Sequence, residues 1–332
     1  LIARKCSFFF FFCLVRATDR RMTERYTTVS GAVVPGYAFG CMQFGDKADE
    51  TASQQMYEAC RAAGIVHYDT AHVYTGGASE TLLGKLAKAE RDDVFIATKA
   101  SYTGGASRET ILSSFDESRK RLGMDAVDLL YMHRWDDDTP LEETFEALAE
   151  LKASGKIRHI GVSNYAAWQV MKAQAVAARF DVRIDVLQPM YNLTKRQAEV
   201  EILPMCASEG IQAVPYSPLG GGLLTGKYAS GGTGRLTEND RYASRYRLEA
   251  MHETAARLTG LAADMGHHPA TLAVAWAARH AAGPWPILSA RSAEQLAPSL
   301  AAVGFEMDDA TYAAISALSA TPPPATDRLE ES

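Results

Sequence analysis

Short apolar, β-branched runs alternate with helical stretches along nearly the whole chain, and no other feature restricts the fold as much. Candidate strands lie at 36–43, 65–70, 94–99, 127–133, 157–163, 185–190, 211–216 and 285–290. Helical patterns fall near 51–63, 79–90, 107–122, 141–154, 166–178, 196–209, 250–265, 269–281 and 292–302. Strands apolar on both faces belong to a parallel sheet, whose crossover helices cover both sides. Eight of them suggest closure into an α/β fold of the (β/α)8 TIM-barrel type, with a doubly wound open sheet as the competitor. A dinucleotide-binding open sheet usually carries G-x-G-x-x-G after its first strand, and this chain has no such match. The barrel is therefore expected. At 332 residues the chain has the length of two average domains, but one barrel of about 250 residues with extra helices fits as well.

Hydrophobic residues make up 47% and charged residues 22%, which excludes a mostly disordered chain and a membrane bundle. Lys and Arg number 34 against 40 Asp and Glu, a formal charge of −6. Such a chain has no overall pull toward nucleic acid or anionic lipid. The five cysteines, Cys6, Cys13, Cys41, Cys60 and Cys206, are odd in number and form no C-x-x-C pair. A disulfide framework and a metal site are not expected, and a reducing, cytoplasmic compartment is the simpler reading.

Residues 1–21 read differently from the rest. Arg4 and Lys5 precede an apolar run from Cys6 to Val15 that contains Phe8 to Phe12. It is too short to span a bilayer, which takes about 20 residues, so stable membrane insertion is not expected. It has the form of a signal-peptide core with Val15-Arg16-Ala17 as cleavage site. The preferred alternative is a start at Met22, with the leader no part of the barrel. The barrel is then expected over 22–319, with a Pro-rich flexible tail at 320–332 carrying Pro322, Pro323 and Pro324. Segment 220–249, rich in Gly, Arg and Tyr and without helical periodicity, is expected to be a long functional loop.

Barrel chemistry sits at the C-terminal ends of strands. Asp69 ends the second candidate strand, Tyr74 follows five residues later, Lys99 ends the third and His133 the fourth. Any one of these is an ordinary rim residue. Together on three successive strand ends they converge on one mouth. A free phenol, with pKa near 10, is a poor proton donor at neutral pH. A neighbouring ammonium lowers that pKa, a carboxylate holds the ammonium, and an imidazole orients a carbonyl. The set suits proton donation to a carbonyl oxygen while a nicotinamide delivers hydride to carbon.

The segment Asp69-Thr70-Ala71-His72-Val73-Tyr74, followed by Ser79-Glu80 and Leu83-Gly84, resembles the signature of the aldo-keto reductase superfamily. Ile96-Ala97-Thr98-Lys99, Asp128-Leu129-Leu130-Tyr131-Met132-His133 and Ile160-Gly161-Val162-Ser163-Asn164 continue the match in the family's order, from about residue 30 to 305. The resemblance implies a (β/α)8 barrel and NADPH-dependent (NADP+-linked) reduction of a small-molecule aldehyde or ketone. It makes Tyr74 the general acid, Lys99 the modulator of its pKa, Asp69 the partner of Lys99, and His133 the substrate-orienting group. It implies carboxamide contacts from Ser163, Asn164 and Gln188, stacking of the nicotinamide on Tyr216, and a pyrophosphate stretch of Ser217, Leu219, Gly222 and Lys227. Ser289, Arg291, Gln295 and Ser299 resemble the adenine and 2′-phosphate site, with Arg291 on the phosphate and a helix N-terminus beside it. Ser289 stands where the family usually has Gly, and Ser299 where it often has Asn. An alternative on the same fold is an NADPH-binding regulatory subunit resembling potassium-channel β subunits, which needs fewer of the four catalytic groups.

Several motifs are set aside. Gly221-Gly222-Leu223-Leu224-Thr225-Gly226-Lys227 imitates a P-loop but has Tyr228 where Ser or Thr must hold Mg²⁺. His267-His268 reads as exposed polar surface, His67 as a satisfied interior or interface histidine, and the Asn192 sequon as a pattern only. Phe44, Tyr102 and Trp135 are expected to line an apolar substrate pocket.

Overall fold

The computed structural model describes residues 26–328 and 330. The leader 1–21, with Cys6 and Cys13, lies outside the described residues. Eight parallel strands follow one another as β1 (Ala38–Gly40), β2 (His67–Asp69), β3 (Phe95–Ala100), β4 (Val127–Met132), β5 (Ile157–Ser163), β6 (Val186–Gln188), β7 (Gln212–Ala213) and β8 (Ile287–Leu288). Their order in the sheet is β7-β6-β5-β4-β3-β2-β1-β8. The curled sheet brings its two edges together, where Trp285 N donates to Ala213 O and Ile287 N to Pro215 O, both at 2.9 Å.

Several strands are shorter than the apolar runs that announce them. Pro189, Pro215 and Pro286 stand at the ends of β6, β7 and β8. A proline has no N–H to donate and stops the ladder there. The helices between strands are α1 (Glu50–Ala62), α2 (Ala78–Ala87), α3 (Arg108–Leu122), α4 (Leu141–Ala153), α5 (Ala167–Ala177) and α6 (Ile202–Glu209). Their ends are fixed locally. Asp49 caps α1 by accepting from Ala52 N, and Ser107 caps α3 by accepting from Thr110 N. Gly123, at φ 64°, closes α3 in the left-handed conformation.

Segment 220–249 holds more helix than its composition predicts: a 3₁₀ turn over Gly220–Thr225, then α7 (Arg235–Glu238) and α8 (Asp240–Arg245). These turns are too short to show a period, and α8 relies on Asn239, whose side chain accepts from Tyr242 N. The chain continues through α9 (Glu249–Asp264), α10 (Pro269–Arg279), α11 (Ala293–Leu300) and α12 (Asp309–Ser316). The last was not anticipated, and residues 320–328 form neither helix nor strand.

Period-two alternation sorts the strand side chains into two apolar clusters. Phe95, Ala97, Leu129, Tyr131, Val186 and Val214 belong to the barrel interior, while Phe39, Tyr68, Ile96, Leu130, Met132 and Leu187 pack under the helices. Tyr26 and Trp285 join the interior set, with their rings edge to face at 5.4 Å. Two glycines permit this packing. A Cβ on Gly161 would overlap the Tyr131 ring inside the barrel, and one on Gly84 of α2 would overlap the Leu122 carbonyl at the end of α3.

The Gly84 contact is with backbone, so it has no side-chain route to relief. Gly84→Ala is expected to cost about 1–3 kcal/mol as overpacking, read as a lower midpoint in urea unfolding. An unchanged midpoint would show that α2 and α3 separate without cost.

Candidate active site

Inward-facing positions at the ends of β2 and β3 bring two opposite charges together. Lys99 and Asp69 are 1% and 2% exposed and form an ion pair. Lys99 Nζ also donates to Thr70 O at 2.8 Å and to Tyr74 Oη at 3.5 Å. Gln188 Nε2, from β6 on the opposite side of the barrel, donates to Asp69 Oδ2 at 2.8 Å. The four groups expected from the strand-end argument are thus assembled. The ring of His133 meets that of Tyr74 edge to face at 5.8 Å.

The electrostatics differ in one respect from the sequence-based expectation. Burial raises the Tyr74 pKa above its ordinary value, and the Lys99 ammonium offsets only part of that rise. Tyr74 is therefore a neutral phenol with a proton to give. Burial works against the Lys99 charge, but Asp69 and Tyr74 outweigh it and hold the ammonium protonated. Burial, with repulsion from Lys99 and Arg134, lowers His133 to about 3. Its imidazole is neutral, suited to hydrogen bonding with a carbonyl rather than to ion pairing.

Behind the pair, Glu80 of α2 is buried, accepts from Thr98 Oγ1 at 2.6 Å and pairs with Arg121 at 3.4 Å. This explains the Ser79-Glu80 motif as a brace for β3 rather than as a reacting group.

The tetrad opens onto a cleft of about 880 Å³, lined by every residue expected to act in catalysis or hold the cofactor except Lys99, which lies behind it. Ser163 Oγ donates to Gln188 O at 3.1 Å, Asn164 Nδ2 to His133 O at 3.1 Å, and Tyr216 Oη to Asn164 Oδ1 at 2.7 Å. Gln188, expected to face a carboxamide, spends its Nε2 on Asp69 and ties the two halves of the site together. Four non-glycine residues at the mouth, Thr75, Ser101, Asn164 and Ser217, have φ of 49°, 61°, 60° and 59°. Each stands one or two residues after a predicted site residue, and such strain commonly marks functional positions.

Toward the other end, Gly221 and Gly222 have φ of 68° and 95°. A Cβ on Gly222 would come within 3.1 Å of Lys227 Cε. Ser289 Oγ is buried without a hydrogen-bond partner among the described residues. Ser299, on α11, is buried and Gln295 Oε1 accepts from Arg291 N at 2.8 Å. The Arg291 guanidinium donates to both carboxylate oxygens of Glu238, at 3.3 and 2.6 Å.

Other expectations are corrected. Phe44 is fully buried and packs on Phe39, and it does not line the cleft. Trp135 packs edge to face on Tyr165 and Trp168, outside the cleft. Tyr102 does line it, together with Met42, Arg134, Tyr242 and Arg245, which the sequence reading did not name. Arg134 was findable as the residue next to His133 at a strand end, whereas Tyr242 and Arg245 sit in a segment legible only by composition. His67 is buried against the Phe95 ring, but neither ring nitrogen has a hydrogen-bond partner among the described residues. It is an interior histidine, though not a satisfied one. Asn192 is buried and donates to Ser217 O at 2.9 Å, which removes it as a sugar acceptor. No described helix is long and apolar enough to cross a membrane.

The family model "Aldo/keto reductase family" matches residues 38–320. A probable voltage-gated potassium channel subunit beta from Oryza sativa subsp. japonica is 35% identical over 269 residues, 75% of this chain and 81% of that protein. Aflatoxin B1 aldehyde reductase member 2 from Rattus norvegicus is 40% identical over 207 residues, 60% of this chain and 56% of that protein. L-glyceraldehyde 3-phosphate reductase from Escherichia coli O157:H7 is 30% identical over 308 residues, 85% and 88% of the two chains.

His67→Leu removes two buried unpaired nitrogens at similar volume and is expected to stabilise the fold by about 1–3 kcal/mol at pH 8. The folded chain protonates His67 only at about 3, the unfolded chain near 6.5. Unfolding therefore takes up a proton between those values, and stability is lost as pH falls through that window. The gain from the substitution should be larger at pH 5 than at pH 8, measured by denaturant unfolding at both. Equal gains would place His67 in contact with water.

Proposed function

Because the chain belongs to the aldo/keto reductase family and is an oxidoreductase acting on carbonyl compounds, we propose that it reduces an aldehyde or ketone with NADPH and that Tyr74 gives the proton. One observation carries this reading: a neutral phenol at the cleft wall lies 3.5 Å from a buried, carboxylate-paired ammonium. The ammonium stabilises the phenolate left behind when Tyr74 protonates a carbonyl oxygen. His133, uncharged, holds the carbonyl by a hydrogen bond. Asp69 keeps Lys99 charged and in place, and Gln188 keeps Asp69 oriented.

The residues present fit a dinucleotide. The ring of Tyr216 offers a stacking face beside the amide groups of Asn164 and Gln188. Ser217, Leu219, Gly222 and Lys227 form a stretch whose small residues let backbone N–H groups approach phosphate oxygens. The orphaned Ser289 Oγ, with Gln295 and Ser299, faces the adenosine end, and Arg291 is the candidate for a 2′-phosphate. When bound, the reduced nicotinamide supplies the hydride. Ser292, which caps α11, leaves that helix N-terminus turned to the same end of the cleft.

The resemblance to a probable channel β subunit keeps a regulatory, NADPH-binding role as the second reading. The complete set of Asp69, Tyr74, Lys99 and His133 favours turnover, since binding alone does not require it.

Tyr74→Phe is expected to remove most NADPH oxidation against a panel of small aldehydes while leaving NADPH affinity nearly unchanged. Full activity in the variant would exclude Tyr74 as the acid. NADPH binding by the parent chain without turnover on any aldehyde would favour the regulatory role. Arg291→Ala should weaken NADPH by about 10–100-fold, the worth of a charge-assisted hydrogen bond, and NADH far less. Equal weakening, measured by fluorescence titration, would move the 2′-phosphate site elsewhere.

A further inference from the structure

The chain carries a net charge of −6, yet its cleft is basic. Arg134, Lys227, Arg235, Arg245 and Arg291 line it, against Asp69 and Glu294, and Asp69 is already paired with Lys99. On the reading proposed above, Lys227, Arg235 and Arg291 lie at the end that meets the dinucleotide phosphates. Arg134 does not. It follows His133 directly, at the end of β4, and its guanidinium lies over the ring of Tyr102, 5.4 Å from the centroid. That ring is 4.8 Å from the ring of His133, which in turn meets Tyr74. Arg241, on α8, donates to Tyr102 Oη at 3.4 Å.

Among the described residues the close partner of both Arg134 and Arg241 is Tyr102, and neither forms an ion pair with a carboxylate. The acid nearest Arg134 in sequence, Asp136, is occupied locally: its Oδ2 accepts from Ala106 N at 2.8 Å and from Thr139 Oγ1 at 2.6 Å. Arg134 thus lines the reacting end with only a longer-range attraction to Asp136, and Arg241 stands outside the cleft wall on the far side of Tyr102 Oη. Stacking on Tyr102 holds the Arg134 fork in one plane, which reduces the entropy lost when it grips an oxyanion.

We infer that the substrate is a carbonyl compound bearing an anionic group, a carboxylate or a phosphate, which Arg134 grips while the carbonyl faces Tyr74 and His133. The inference rests on the reductase reading and narrows it. A basic rim in an acidic protein also draws anionic substrate toward the cleft, and added salt weakens that attraction.

The test uses the full chain with NADPH and matched pairs of aldehydes: 4-carboxybenzaldehyde with 4-methylbenzaldehyde, and glyceraldehyde 3-phosphate with glyceraldehyde. At least one anionic member should exceed its neutral partner in kcat/KM by about tenfold, the worth of one hydrogen bond between charged groups. The larger ratio identifies carboxylate or phosphate as the favoured group. Arg134→Gln should lower kcat/KM for that anionic aldehyde by about tenfold, mostly through KM, with a smaller loss on the neutral partner. Arg134→Lys should recover part of the loss, and at saturating NADPH raising the salt should depress the anionic reaction more than the neutral one. Equal kcat/KM within both pairs, or equal loss on both members in Arg134→Gln, overturns the inference and leaves the reductase intact. Turnover of none of the four aldehydes, with NADPH bound, overturns the reductase reading and this inference with it.

Discussion

The buried pair of Lys99 and Asp69 is the constraint around which the barrel mouth is arranged. Two charges withdrawn from water are tolerated only when their remaining hydrogen-bonding capacity is met, and removing one partner typically costs about 3–5 kcal/mol. Here Thr70 O takes a second Lys99 proton and Gln188 Nε2 meets the second Asp69 oxygen. Because β2 and β6 stand on opposite sides of the barrel, the Gln188 bond spans its width. Beneath this polar layer the interior is filled by Tyr131, Leu129, Phe95 and Val214. Tyr131 fits only because Gly161 has no side chain to meet it. A glycine on β5 therefore supports, through one ring, the layer in which the charges sit.

Above that layer the backbone changes character. The barrel strands are regular, whereas Thr75, Ser101, Asn164 and Ser217 turn through the left-handed region at the rim. Conformations of that kind persist where surrounding structure over-determines them. Asn164 is held by His133 O and by the phenol of Tyr216, and Ser217 O accepts from the buried Asn192. The rim is thus tied together by the side chains of Asn164, Tyr216 and Asn192, which follow β5, β7 and β6, and by the His133 carbonyl after β4. A group placed against Tyr216 meets a surface already set by hydrogen bonds, which limits the reorganisation that binding requires.

Much of this was legible in the sequence, for reasons that differ by residue. Asp69, Lys99 and His133 announced themselves as polar groups closing apolar runs, and a parallel barrel places such groups at one mouth. Tyr74, out in a loop, was placed by its spacing in the motif rather than by periodicity. Strand lengths were overread because an apolar run says nothing about where a ladder stops, and the prolines at 189, 215 and 286 stop it. Phe44 was misassigned because composition cannot say which way a loop aromatic turns; it turns into the core against Phe39. The net effect on the Tyr74 phenol was hidden for a related reason, since a neighbouring ammonium can be read from sequence but the depth of burial opposing it cannot. Arg134 lay in plain view beside His133, whereas Tyr242 and Arg245 needed the fold, which brings the long segment after β7 over the cleft.

The pairing of Arg291 with Glu238 bears on how that segment would respond to a dinucleotide. Both side chains are about one-third exposed, at 31% and 38%, and exposed ion pairs contribute at most about 1 kcal/mol. The pair is therefore a weak tether between α7 and the start of α11. A phosphate dianion offers the same guanidinium more charge and bidentate geometry, so on the proposed reading it displaces Glu238 at little cost. The Glu238 carboxylate is also attracted by Lys47 and Lys227, which remain to balance it. A dinucleotide without the 2′-phosphate has nothing to exchange for Glu238 and leaves the tether closed. On that reading, discrimination between the two nicotinamide cofactors is what Arg291 gains at the phosphate less the small amount it gives up with Glu238.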